Sequence, residues 1–159
     1  MTKTPTFHRV HVALQASDLD ASIAFYTHLL GAAPDKRRDG YARFAPPDIG
    51  IQLALNQATG DVQVATNGEH FGVVVPGSAE VASASARLAE AGLATRSEDG
   101  VVCCYARQDK VWATDPDGRA WEVYTVLDEN TEKIDPASTC CQPVGDESSS
   151  ELPAPRGCC

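Results

Sequence analysis

From Val10 to Val126 apolar residues recur with two periods, near two and near 3.6, and the order of those periods repeats along the chain. Val10–Leu14 alternates as a strand. A helix from about Asp18 to Leu30 follows, with Leu19, Ile23, Tyr26 and Leu30 as its apolar stripe, Ser17 or Asp18 as cap and Gly31 as stop. Short strands are predicted at Tyr41–Ala45 and Ile51–Leu55. The order then restarts. A strand at His70–Val75 leads to a helix from about Ser78 to Ala91, with Val81, Ala84 and Leu88 inward and Gly92 closing it. Further strands are predicted at Val101–Ala106, Lys110–Thr114 and Ala120–Val126, the last two joined by an Asp115-Pro116-Asp117-Gly118 turn. The interval from leading histidine to closing glycine is nearly the same in both halves, His11 to Gly31 and His70 to Gly92. The economical reading is an α+β domain over residues 1–127, built from two tandem βαβββ modules.

The pattern stops after Leu127. Residues 128–159 are rich in Asp, Glu, Ser and Pro, too polar to offset the entropy of ordering, and predict a disordered acidic tail. A net charge of -9 argues against nucleic acid and acidic membrane surfaces as partners. No apolar run approaches the roughly 20 residues that span a bilayer, and MTKTPTFHRV lacks an export signal's apolar stretch. The expected location is the cytoplasm, with the cysteines mostly reduced. All 6 cysteines fall in adjacent doublets: Cys103-Cys104 within the domain, Cys140-Cys141 and Cys158-Cys159 in the tail.

Glu122 is flanked by apolar residues in the last strand and shares a face with Tyr124 and Val126; a carboxylate there is costly unless paired. An exposed face is the bland alternative. His11 and His70 each stand at the first strand of a module, and each alone is more often a structural histidine than a ligand. Together His11, His70 and Glu122 supply two imidazoles and a carboxylate, a donor set that suits a non-haem Fe(II) centre. His8 competes with His11, and His28 on the helix has no assigned role. Cys103 and Cys104 offer two sulfurs to a soft atom, although neighbours on a regular strand point to opposite faces. A loop over Ser97–Tyr105, led by Asp99-Gly100, would remove that obstacle; a single core cysteine is the plain alternative. Lys110 offers a cation to orient an anionic ligand or position a loop, against the commoner case of a solvated lysine.

These residues give the chain a resemblance to the vicinal oxygen chelate superfamily, the glyoxalases, extradiol dioxygenases and bleomycin-resistance proteins. Asp18-Leu19-x-Ala21-Ser22-Ile23-x-Phe25-Tyr26 and Asp115-Pro116-Asp117-Gly118-x-x-Trp121-Glu122 carry it. Gly40-Tyr41-Ala42-x-Phe44, Cys103-Cys104-Tyr105-Ala106-x-Gln108-Asp109-Lys110-Val111-Trp112 and Trp121–Val126 narrow it to the organoarsenical carbon–arsenic lyases, grouped with cadmium-induced proteins. The resemblance implies paired modules whose curved sheets enclose a metal cavity. It implies Fe(II)- and dioxygen-dependent cleavage of trivalent methyl or aromatic arsenicals to arsenite. It makes His11, His70 and Glu122 the metal ligands, with glutamine replacing His11 in some relatives, and Cys103 and Cys104 the arsenic-binding thiols.

Two other functions compete. A glyoxalase-like isomerase would need a fourth ligand where this chain has the amide of Gln52, and it leaves the cysteines unexplained. A cadmium- or metalloid-buffering protein would use all three doublets without turnover. A monomer and a homodimer that exchanges modules both satisfy the two-module reading.

Overall fold

The computed structural model describes residues 8–65, 67–103 and 105–131, so Cys104, the tail doublets and nearly all of the predicted tail lie outside the described residues. The described residues form two compact units: those up to Gln63 together with Asp115–Asp117, and those of Val64–Thr114 and from Gly118 onward. Among them no helix is long and apolar enough to cross a membrane.

The first unit runs β1 (Val10–Ala16), α1 (Leu19–Leu30), β2 (Lys36–Arg38), β3 (Tyr41–Phe44) and β4 (Ile51–Gln57). Its sheet has the order β1-β4-β3-β2, with β1 parallel to β4 and the other pairs antiparallel. Asp18 caps α1 by accepting from the Ala21 amide at 2.9 Å, and Gly31 ends it at φ 65°, the left-handed stop that glycine tolerates. The predicted stripe is buried, and so are Ser22, Phe25 and Leu29. The helix packs on β3 and β4, where Ala42, Phe44, Leu53 and Leu55 are buried. β2 was not predicted: Lys36, Arg37 and Arg38 are all exposed at a sheet edge, where charge discourages pairing with another chain and leaves no apolar period.

The predicted Asp115–Gly118 turn has a second use. Asp115 Oδ1 accepts from the Asp117 amide at 3.0 Å, and Asp117 Oδ1 accepts from the Ser17 amide at 3.1 Å. In the core of the same unit the Tyr26 hydroxyl donates to Asp115 Oδ2 at 2.7 Å.

The second unit runs β5 (Phe71–Val74), α2 (Ser78–Glu90), β6 (Thr95–Cys103), β7 (Ala106–Thr114) and β8 (Ala120–Asp128), with sheet order β5-β8-β7-β6. Each sheet is thus four-stranded and mixed, with one helix per unit, an α+β fold as the sequence predicts. Val81, Ala84 and Leu88 of α2 are buried, and the helix packs on β6, β7 and β8. Alternation places Val111, Ala113, Trp121 and Val123 together in the apolar layer, and Phe71 stacks on Trp121 at 4.8 Å.

One expectation is corrected. Ser97–Gly100, expected to lead a mobile loop over Ser97–Tyr105, belongs to β6, which pairs with β7 from Thr95↔Ala113 to Cys103↔Ala106; the strand predicted at Val101–Ala106 divides at the hairpin, with Val101–Cys103 in β6 and Ala106 in β7. The Asp99-Gly100 punctuation is a bulge between Glu98 and Val101 with Gly100 at φ 63°.

Replacing Tyr26 by Phe is expected to destabilise the first unit by about 1–2 kcal/mol, since it removes a hydrogen bond to a buried carboxylate. A lower urea midpoint with an unchanged m-value checks this.

Candidate metal centre and thiol site

Glu122 lies on β8 and is only 7% exposed, which disposes of the exposed-face alternative. Its Oε2 accepts from the Lys110 ammonium at 2.9 Å, while Oε1 lies 3.6 Å from His70 Nε2. Sheet register explains the meeting. Gly72, Glu122, Trp112 and Arg96 are cross-strand neighbours in one row, and Val74, Tyr124, Lys110 and Glu98 in the next. His70 precedes Gly72 by two residues, and its ring packs edge-on to Trp112 at 5.1 Å.

The His70 tautomer follows from its other nitrogen. Nδ1 lies 3.0 Å from the Gly68 carbonyl, which only accepts, so Nδ1 carries a proton and neutral His70 has its lone pair on Nε2. That lone pair and Glu122 Oε1 are two acceptors facing one another, a repulsive arrangement unless a cation, proton or metal ion, lies between them. Two donors bound to one ion at about 2.1 Å lie roughly 3–3.4 Å apart. The pair therefore fits a divalent metal, and a His/carboxylate set suits a borderline ion such as Fe(II).

Gly72 makes room for this. A Cβ there would come within 3.1 Å of Tyr124 Cε1 and 3.3 Å of both Glu122 Cγ and Oε1.

His11 belongs to the first unit, on β1, paired in register with Gln52 of β4. The Gln52 amide nitrogen lies 3.2 Å from His11 Nδ1. An amide nitrogen only donates, so Nδ1 accepts here and neutral His11 carries its proton on Nε2. Gln52 thus partners His11 in the structure. Among the described residues no three His, Cys, Asp or Glu side chains gather as a metal site, so the structure joins His70 to Glu122 but forms no three-ligand cluster.

Cys103 is the last residue of β6, 2% exposed, and its register partner is Ala106, which puts it on the sheet face shared by Gln108, Lys110 and Trp112. Its sulfur is in a disulfide, contrary to the reduced state expected, and every other cysteine lies outside the described residues. Gln108 Nε2 lies 3.5 Å from the Cys103 carbonyl, and Tyr105 takes φ 64°. Six strand residues, about 20 Å, separate the Ala106 level from the Glu122–Trp112 row. Between them the ladder is irregular on both sides of β7, at Glu98/Val101 and at Arg107/Gln108.

Lys110, expected in solvent, is 1% exposed. The hairpin register could have found it: Thr114↔Ala120 across the Asp115–Gly118 turn puts Trp112 opposite Glu122 and Lys110 opposite Tyr124.

Residues 8–123 match the sequence pattern of the Glyoxalase/Bleomycin resistance protein/Dioxygenase superfamily. A trivalent organoarsenical cleaving enzyme of Thermomonospora curvata is 45% identical over 152 residues, 95% of this chain and 99% of that one. The cadmium-induced protein CadI of Mycobacterium tuberculosis is 50% identical over 121 residues, 75% of this chain and 76% of that one. The crystal structure of a glyoxalase/bleomycin resistance protein/dioxygenase from Alicyclobacillus acidocaldarius shares the fold, with TM-score 0.62 at 20% identity over 80% of this chain and 97% of that one.

Gly72→Ala is expected to displace the Glu122 carboxylate and to weaken divalent-metal binding about 10-fold, as loss of ligand orientation does elsewhere. Isothermal titration with Co(II) measures it, and unchanged affinity would show that the carboxylate adjusts freely.

Proposed function

The chain belongs to the Glyoxalase/Bleomycin resistance protein/Dioxygenase superfamily, and from that premise we propose that it is an enzyme that cleaves the carbon–arsenic bond of trivalent organoarsenicals. Inorganic arsenite is the product, and the reaction depends on Fe(II) and dioxygen. The observation that carries the metal half of this reading is the pair of acceptors, His70 Nε2 and Glu122 Oε1, 3.6 Å apart. His11 is the third ligand of the proposal. The arsenic half rests on the adjacent thiols and on the activity named for the Thermomonospora curvata relative.

In this reading Cys103 and Cys104, once reduced, exchange onto trivalent arsenic. Two As–S bonds form, two As–OH bonds break, and each thiol proton leaves with a hydroxide as water. The arsenical is then held as a dithiolate, so its encounter with the metal pair becomes intramolecular. Bound iron supplies redox chemistry with dioxygen that no side chain possesses. The thiol requirement selects trivalent, thiophilic substrates and leaves pentavalent ones poorly bound.

The 20 Å between the two sites is covered by bending. A hairpin tip folded back at the paired irregularities carries Cys103 over the sheet face by two residues, about 7 Å, while the Glu122 row stands about 13 Å from the bend. The cysteine side chain and the gripped arsenical span the remainder. β6 and β7 supply the bend, in place of the Ser97–Tyr105 loop.

The three cysteine doublets carry a second reading, metalloid capture without turnover. One assay separates them. With trivalent methylarsenical, Fe(II) and a thiol reductant, the lyase releases arsenite in many equivalents in air and none under anaerobic conditions. Capture gives stoichiometric uptake and no arsenite in either case. Cys103→Ser is expected to lower turnover about 100-fold or more while leaving metal affinity unchanged. Full activity in that variant at limiting substrate would remove the dithiolate from the scheme.

A further inference from the structure

We propose that Lys110 is a positioning residue of the metal centre: its ammonium occupies one oxygen of Glu122, so that the carboxylate offers a metal ion only the other. The inference rests on the metal reading above and extends it to a residue with no ligand atom of its own.

The ammonium lies 2.9 Å from Oε2, and Lys110 is 1% exposed. An ion so far from water costs several kcal/mol unless well paired. Glu122 is that pair. Two aromatic faces fix where the head of the lysine sits, with the Trp112 centroid 5.4 Å and the Tyr124 centroid 5.5 Å from Nζ. The rings come from the residues that register places beside Lys110 and Glu122 on the same face. Further along that face Glu98, the cross-strand neighbour of Lys110, lies 3.3 Å from the Arg96 guanidinium. Charges therefore alternate in sign from Arg96 through Glu98 and Lys110 to Glu122.

The carboxylate is confined from both sides. Lys110 holds Oε2, and the absence of a side chain at Gly72 leaves the space in which Oε1 sits, toward His70. The last torsion of a glutamate side chain is soft by itself. Here, however, turning both oxygens toward one ion would strip the ammonium of its counter-charge where water does not replace it. One-oxygen ligation follows. It matters for the donor count: a chelating carboxylate would take one more coordination position of a bound ion than a one-oxygen carboxylate. Lys110 in this way reserves coordination space for substrate and oxidant.

The test is infrared difference spectroscopy, Co(II)-loaded minus metal-free protein, with Glu122→Gln identifying the band of this carboxylate. A one-oxygen ligand shows a wide splitting between antisymmetric and symmetric stretches, and a chelating one a narrow splitting. The parent protein is expected to show the wide splitting, and Lys110→Met to narrow it at full Co(II) occupancy. A wide splitting retained in Lys110→Met, or a narrow one in the parent, overturns the role of Lys110. If Lys110→Met does not fold, the parent spectrum decides alone, wide in favour and narrow against. Absence of any Glu122-dependent Co(II) band defeats the metal centre of the proposed function, and this role with it. Uptake with a narrow parental splitting defeats only the role.

Discussion

Glu122 carries a negative charge onto a sheet face that little water reaches, and the cost of that placement, several kcal/mol for an unpaired ion, governs what surrounds it. Lys110 answers one oxygen at 2.9 Å, and the other is left facing an imidazole nitrogen that has no proton to give in its neutral form. The arrangement is half satisfied by the protein and half open. The nitrogen aimed at the second carboxylate oxygen calls for a cation between them, a proton or a metal ion. Trp112, Tyr124 and Gly72 are consequences of the same constraint, since two large rings and a missing side chain are what hold a lysine and a glutamate in a fixed mutual geometry.

Each unit divides its sheet in the same way. One face is apolar and buried beneath the helix of that unit; the other carries the polar side chains, His11 and Gln52 in the first unit and the charged rows in the second. A period-two strand can serve both purposes only if its register is fixed, because a slip of one residue would send Glu122 into the helix layer and Trp121 out of it. The Asp115–Gly118 turn fixes the register of β7 against β8, and two of its residues are bonded to Tyr26 and Ser17 of the first unit. The two segments that carry the broad family resemblance, Asp18–Tyr26 and Asp115–Glu122, are thus joined by a buried hydrogen bond.

That division decided what could be read from the sequence. Both helices and the long strands were legible because their apolar stripes meet a core, as Leu19, Ile23 and Tyr26 do in α1. β2 was not, since Lys36-Arg37-Arg38 faces water on both sides and a strand held only by edge hydrogen bonds writes no hydrophobic period. Glu122 and His70 were legible as isolated anomalies, an acid among apolar residues and a histidine at a strand entrance. Lys110 was not, because lysine is nearly always solvated and only the pairing of β7 with β8 reveals the carboxylate beside it. The start of β6 was misread for a related reason: Ser97-Glu98-Asp99-Gly100 has loop chemistry, yet its bulge is absorbed within a ladder that continues to Cys103.

The bulge also bears on how the end of β6, with Cys103, is held relative to the Glu122–Lys110 pair. Asp109 sits at that level of β7 and accepts from the Gly100 amide at 2.7 Å and from the Ser78 hydroxyl at 2.5 Å, Ser78 being the first residue of α2. The irregular point of β6 is therefore tied through one carboxylate to the helix beneath the sheet. Toward Cys103 the ladder is short, a few pairs closed by a residue at φ 64°, a backbone conformation that costs a non-glycine residue roughly 1–2 kcal/mol. Toward Lys110 it is backed by α2 and by the buried charge pair. A bending force applied at the tip meets its weakest resistance just beyond Asp109, with Glu122 and Lys110 on the stiff side and Cys103 on the other.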